Sequence, residues 1–232
     1  MGDLVTCRVA DGVAVVRMDD GKANALSHEM IDAVMGVLDD AAPEGALVLT
    51  GRPGRFCGGF DMKVMMSGPA AAAGLVRRGA DLLLRLYELP MPLVIACTGH
   101  AVAGGALLVL TGDTRFGVRG DFRIGLNEVA IGLPLPILAG AFARDRLHSR
   151  HLTAATIQAA LYDPDAAVEA GYLDRVLDGE VLEATAVDEA RRLGTLSRQA
   201  YAETKKLMRA ATIEHVRSTL DADMARFMGP GA

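Results

Sequence analysis

Residues 91–128 read MPLVIACTGHAVAGGALLVLTGDTRFGVRGDFRIGLNE. Behind the Pro90-Met91-Pro92 break, residues 93–98 form a nearly unbroken apolar run, the pattern of a buried strand. Gly99 ends it. Gly104-Gly105 then opens a second apolar run, 106–110, which Thr111-Gly112-Asp113 stops. Strand, glycine turn and helix in that order leave free backbone N–H groups at a helix N-terminus, where developing negative charge is stabilised. Glu128 follows in an apolar neighbourhood of Ile124, Leu126, Val129 and Ile131, which predicts a raised pKa. A free N–H donor and a partly desolvated carboxylate are the two parts needed to make and hold an enolate.

On the N-terminal side, residues 4–9 and 13–18 flank Ala10-Asp11-Gly12 as the arms of a hairpin. Ser27 is placed to cap a helix across Met30, Ile31, Val34, Met35 and Leu38. A break at 43–45 precedes a short buried strand, 46–50. A glycine-rich loop, 51–59, leads to Asp61, which is set to start a short helix. The alanine-rich 68–74 is of low complexity and reads as either mobile or locally helical, and 75–89 carries a helical apolar pattern. On the C-terminal side a turn at 132–136 is followed by predicted helices over 137–146, 153–161 and 163–170. Gly171 ends the last of these, and a strand is expected at 173–177. From Glu180 onward only helices are expected, with breaks near Gly194-Thr195 and Ala211-Thr212. Strands alternating with helices, then helices alone, predict an α/β core over 1–179 and a helical region over 180–232.

A chain of 232 residues with a formal charge of −5 and no Trp has no broad basic stripe, which argues against nucleic-acid binding. Cys7, Cys57 and Cys97 have no metal-ligand spacing and read as reduced thiols of a cytoplasmic protein. The N-terminus lacks the apolar block of a signal peptide, and no run approaches the ~20 residues of a membrane span. No membrane partner is therefore expected.

Separated segments together resemble the crotonase, or enoyl-CoA hydratase/isomerase, superfamily. They are Lys22-Ala23-Asn24-Ala25-Leu26, then Leu47-Val48-Leu49-Thr50-Gly51 with Arg55-Phe56-Cys57-Gly58-Gly59-Phe60-Asp61, then 98–113 with Ile124-Gly125-Leu126-Asn127-Glu128. A weaker match covers 170–176. The resemblance implies a spiral of ββα turns with two sheets, and a helical C-terminus that assembles a homotrimer or a dimer of trimers. It implies an acyl-CoA substrate in fatty-acid metabolism, no metal, and no cofactor other than the coenzyme A carried by the substrate itself. Carried over by position, the backbone N–H groups of Phe60 and Gly104 form an oxyanion hole, and Glu128 is the catalytic base. Lys22, Ala23, Ala25 and Leu26 lie over the adenine end of coenzyme A, and Gly59, Asp61 and Leu107 contact substrate.

One departure matters. Hydratases of this superfamily place two glutamates in the site, and the position of the first is Leu107 here. Hydration shares its acid–base work between two carboxylates, whereas shifting a double bond needs one base. The resemblance therefore points to a Δ3,Δ2-enoyl-CoA isomerase. A hydratase working with one glutamate and a non-catalytic acyl-CoA binding protein are the alternatives. Several further residues have two readings each. His100 is a substrate contact or a structural imidazole. Lys22, Arg77, Arg78, Lys205 and Lys206 are phosphate ligands or surface charges. Met62, Met65 and Met66 form a tunnel wall or ordinary core. Asp61 reads as an N-cap rather than an acid catalyst.

Overall fold

The computed structural model describes residues 3–40 and 45–228. The break read at 43–45 and the end of the helical region, 229–232, fall almost wholly outside these. The strands in chain order are β1 (Val5–Ala10), β2 (Val13–Met18), β3 (Ala46–Thr50), β4 (Gly54–Cys57), β5 (Leu93–Cys97), β6 (Gly99–Val102), β7 (Thr114–Val118), β8 (Ile124–Gly125) and β9 (Arg175–Leu177). The predicted hairpin is β1–β2, with Asp11 and Gly12 at φ 53° and 73°, as a type I′ turn requires.

Six strands form one sheet in the order β1-β2-β3-β5-β7-β9, antiparallel only at β1–β2. Strands β4, β6 and β8 form a second, parallel sheet. Residues 93–102 therefore supply not one strand but two: the chain leaves the large sheet after Cys97 and enters the small one at Gly99. Strands β3 and β5 are buried at every residue, which explains their continuous apolar runs.

The helices are α1 (His28–Asp40), α2 (Met62–Met65), α3 (Pro69–Tyr87), α4 (Gly104–Thr111), α5 (Ile137–Arg146), α6 (Leu152–Thr156), α7 (Pro164–Ala170), α8 (Gly179–Gly194) and α9 (Arg198–Met228). Period-2 alternation divides the large sheet between two cores. Leu47, Leu49, Leu93 and Ile95 face α1, α3 and α4, while Val48, Val94 and Ala96 face Leu182, Ala186 and Ala190 of α8. Helix α4 has no polar face and is buried on all sides, so it lies in the middle of the molecule.

Of the two readings open to the alanine-rich 68–74, mobile or locally helical, the structure shows the helical one: it is the start of α3, with Pro69 in the first turn where a missing N–H costs nothing. Elsewhere the structure corrects the sequence reading. The helix read over 153–161 stops at Thr156, and Ala159 turns the chain at φ 51° so that Tyr162 can bridge Ile124. No break occurs at 211–212, because Ile213 and Val216 bury α9 against the core across that point. The strand read at 173–177 is shorter, beginning at Arg175. Cys57 and Cys97 are buried free thiols, pushed up to about 12 by burial. Among the described residues no helix is long and apolar enough to cross a membrane.

Candidate active site

The loop that leaves β2 is organised by Asn24, which is fully buried in the left-handed region at φ 52°. Its amide nitrogen donates to the carbonyls of Met18, Arg55 and Phe56 at 2.9, 3.1 and 3.2 Å, and its oxygen accepts from Asp20 N–H at 2.9 Å. This fixes Ala23 and Leu26 against the loop after β4. Gly58 N–H donates to Ala23 C=O at 2.8 Å, Leu26 N–H to Gly59 C=O at 2.8 Å, and Asp61 N–H to Leu26 C=O at 3.2 Å. Asp61 caps α2, accepting from Lys63 N–H at 2.8 Å.

The bridge between Leu26 and residue 60 is parallel and uses the groups on either side of Phe60. Phe60 N–H therefore points away from it and has no protein acceptor among the described residues. Gly104 N–H opens α4 and is an orphan of the first turn. The two segments touch. A Cβ on Gly59 would lie 3.0 Å from Val102 O and 3.5 Å from Gly104 N, so only glycine, at φ 91°, permits this approach. Ala103 holds the turn between β6 and α4 at φ 50°, ψ −122°, a strained conformation for a residue with a side chain.

Ala103 also ties this turn to Glu128. Its N–H donates to Gly125 C=O at 3.0 Å, fixing the strand that leads into the carboxylate. Beyond it, Ile131 and Leu133 N–H donate to Glu128 C=O at 3.1 and 2.9 Å, closing a 3₁₀ turn over Val129–Ile131. The Glu128 side chain is left facing inward, 7% exposed, with Oε2 buried and unpartnered. Burial pushes its carboxyl up to about 7. Of the expected apolar neighbours, Ile124 and Leu126 are buried and Ile131 lines the same cavity as Glu128, whereas Val129 is half exposed.

Phe60, Ala103 and Glu128 line one cavity of about 210 Å3, walled further by Met62, Met65, Val102 and Pro134. Asn127 also faces it, with a buried unpartnered oxygen. Glu128 is the one carboxylate in that lining among the described residues. Leu107 does not reach the cavity. It lies in the core behind the Phe60 ring, one helical turn below Gly104, beside a void of about 10 Å3. The expected contact of Leu107 with substrate has no counterpart in that lining, to which α4 contributes no side chain.

Lys22 is exposed on the loop edge, and Ala25 is half-buried within the loop. His100 reads as structural: its Nδ1 accepts from Arg123 N–H at 3.1 Å and its ring meets Phe122 edge-on. Arg77 and Arg78 are paired with Asp221 and Asp32, and Lys205 is buried against Asp113. Met66 points outward. Among the described residues no cluster of His, Cys, Asp and Glu could hold a metal ion. Asn24 and Asn127 escaped the sequence reading; the only signal was an Asn between two alanines and another beside the glutamate.

A cavity lined by Phe60, Ala103 and one desolvated carboxylate, with Gly104 N–H opening the helix next to Ala103, suits an enzyme acting on a carbonyl compound with an acidic α-hydrogen. The enoyl-CoA hydratase/isomerase family model matches residues 8–230, and the chain belongs to that family. It is 30% identical to human mitochondrial enoyl-CoA delta isomerase 1 over 223 residues, covering 94% of this chain and 74% of the relative. A family protein from Pseudomonas syringae superposes with a TM-score of 0.94 at 38% identity, over 97% of this chain and 98% of the other. A Mycobacterium tuberculosis enoyl-CoA isomerase gives a TM-score of 0.92 at 37% identity, over 97% and 99%. The chain is thus a crotonase-fold enzyme of the enoyl-CoA hydratase/isomerase family.

Proposed function

We propose that this enzyme moves the double bond of a 3-enoyl-CoA to the 2-position, as a Δ3,Δ2-enoyl-CoA isomerase. The observation that carries the reading is that Glu128 is the lone carboxylate of the cavity lining, with Leu107 contributing none. The thioester oxygen accepts from Phe60 N–H and Gly104 N–H. The Glu128 carboxylate takes a proton from C2, and the negative charge passes to the oxygen as a dienolate. Glu128, now a carboxylic acid, returns the proton to C4, and the double bond comes to rest between C2 and C3. Charge and protons balance, so no cofactor is needed, and coenzyme A enters and leaves with the acyl chain. Lys22, Ala23, Ala25 and Leu26 form the rim over its adenine end, and Gly59 and Asp61 shape the thioester seat. The human mitochondrial relative, named as an isomerase, supports the same reading.

Hydration would require a water to be held and deprotonated at C3 while C2 is protonated, and one carboxylate in a largely apolar cavity serves that poorly. An assay of 3-enoyl-CoA and 2-enoyl-CoA side by side tests the reading. The expected outcome is rapid loss of the 3-enoyl ester with little hydration of the 2-enoyl ester. Fast hydration with the 3-enoyl ester untouched would make the enzyme a hydratase.

A further inference from the structure

A second cavity, of about 540 Å3, opens at the opposite end of α4 from Gly104, between the last residue of α5 and one face of α9. It shares no lining residue with the cavity of Glu128. Three cations line it: Arg146, Lys205 and Arg209, of which Lys205 and Arg209 are 8% and 7% exposed. The one carboxylate in the lining among the described residues is Asp113, and its acceptors are already taken. It receives Lys205 Nζ, Arg209 and Leu93 N–H, each at 2.8 Å. Arg146 has no carboxylate partner among the described residues. One of its terminal nitrogens donates to Gly112 C=O at 2.6 Å, while its Nε–H is buried with no acceptor. Lys205 uses two of its three N–H groups, on Met91 C=O and Asp113. Asp145, whose charge also reaches Arg209, is exposed and outside the lining. Burial lowers the Lys205 ammonium to about 8, and the charges of Arg209 and Arg146 lower it further against the pull of Asp113. At the rim, Ser197 accepts from Ala200 N–H at 3.4 Å and brings the positive end of the long helix α9 to the same opening.

Buried cations are costly unless a counter-charge meets them. Here three stand against one carboxylate, and donors remain on Arg146 and Lys205 after every acceptor in the wall has been used. We propose that this cavity binds a phosphate group, carried as the monoester of a small organic molecule. A phosphate dianion balances the two surplus charges, and its oxygens accept from Arg146 Nε–H, from the third Lys205 N–H and from the Thr204 hydroxyl at the rim. The phosphate fills only part of the space, whose volume falls within the range of small-molecule pockets. Leu196, Tyr201 and Met208 supply an apolar wall for the remainder of the ester. The site is separate from the isomerisation reading, and its readout is binding rather than turnover.

The test is calorimetric titration of the whole protein, without acyl-CoA, at fixed ionic strength in chloride, with phenyl phosphate and with orthophosphate. Both are expected to saturate one site per chain, phenyl phosphate at least about threefold more tightly. Equal affinities would support the phosphate site and overturn the ester. Arg146→Gln should weaken both ligands at least about tenfold while isomerase turnover stays within about twofold of wild type. Thr204→Glu places a carboxylate on the exposed rim without touching the buried cations, should abolish binding, and decides the matter if Arg146→Gln does not fold. A merely structural role for these cations would change stability and leave no saturable binding to lose. Absence of saturable binding in wild type, or equal binding in a folded variant, would overturn the site. So would a KM for acyl-CoA that rises in proportion to phenyl phosphate, since the ligand would then lie in the catalytic cavity.

Discussion

Glu128 has to be a carboxylate to take a proton, yet it sits where a carboxylate is poorly solvated. The carboxyl ionises near 4.5 when exposed and at about 7 in the folded chain. Between those values the folded state keeps a proton that the unfolded state has lost, so stability falls as pH rises through this window. The full cost, about 3 kcal/mol at ~1.4 kcal/mol per pH unit, is reached above about 7. Glu128→Gln removes the charge and keeps the shape. Urea unfolding should therefore show the variant more stable than wild type at pH 8, with the difference shrinking towards pH 5. The same substitution should lower isomerisation by ~10²–10⁴ with acyl-CoA affinity little changed. In wild type, kcat/KM should rise with pH to a plateau above about 7, as the base ionises. A variant no more stable than wild type at pH 8 would mean that the carboxylate is well solvated. Ala103 departs from ordinary backbone geometry in the same place, and Asn127 leaves a buried oxygen unpaired there. Strain and unpaired polar groups at one locus are the usual mark of a site selected for chemistry rather than stability.

Among the elements, α9 is fastened by a buried ionic latch. Asp113, just after α4, accepts from Lys205 Nζ and from Arg209, both at 2.8 Å, and from Leu93 N–H at 2.8 Å. The same cations satisfy buried carbonyls: Lys205 donates to Met91 C=O at 3.1 Å and Arg209 to Tyr87 C=O at 2.6 Å, where α3 ends. Asp113→Asn would strand two buried cations, and the expected loss is about 3–5 kcal/mol in urea unfolding. A loss below 1 kcal/mol would mean that water reaches the latch. This latch was not legible in the sequence, where Lys205 read as a phosphate ligand or a surface charge. Legibility followed locality. The strand at 46–50 and the helix at 137–146 were read to the residue, because apolar period and flanking breakers suffice for them. Strand β7 was missed because Arg115 interrupts its apolar pattern. The partner that allows that arginine in a sheet, Asp174, lies far along the chain and accepts from Arg115 N–H at 2.7 Å and from its guanidinium at 2.6 Å. Strands β4 and β8 are short and glycine-containing, and exist only through pairing with β6. In the site, Glu128, Phe60 and Gly104 could be nominated from motif order, but the separation of Leu107 from the cavity depends on how α4 is packed.

For the whole molecule, the question is what one chain leaves uncovered. Helix α9 buries Ile213, Val216 and Met224 within the chain, packed on α3 and α5. Its neighbouring Leu207 and Met208 remain 77% and 76% exposed, and Ile157 beyond α6 is 71% exposed. A lone exposed leucine is ordinary, but two large apolar side chains in sequence on a rigid helix form a ready contact surface. In a rotationally symmetric assembly such a patch can pack against another copy of the same chain. The resemblance implies a trimer or a dimer of trimers, so light scattering at micromolar concentration is expected to give the mass of a trimer, or a multiple of it, built from chains of 24.4 kDa. Leu207→Glu should weaken the assembly without touching the cavity, so the concentration at which it dissociates should rise while urea unfolding of the dissociated chain stays close to wild type. A wild-type mass of one chain at every concentration tested would show that α9 is covered from within and that the site is complete in the monomer.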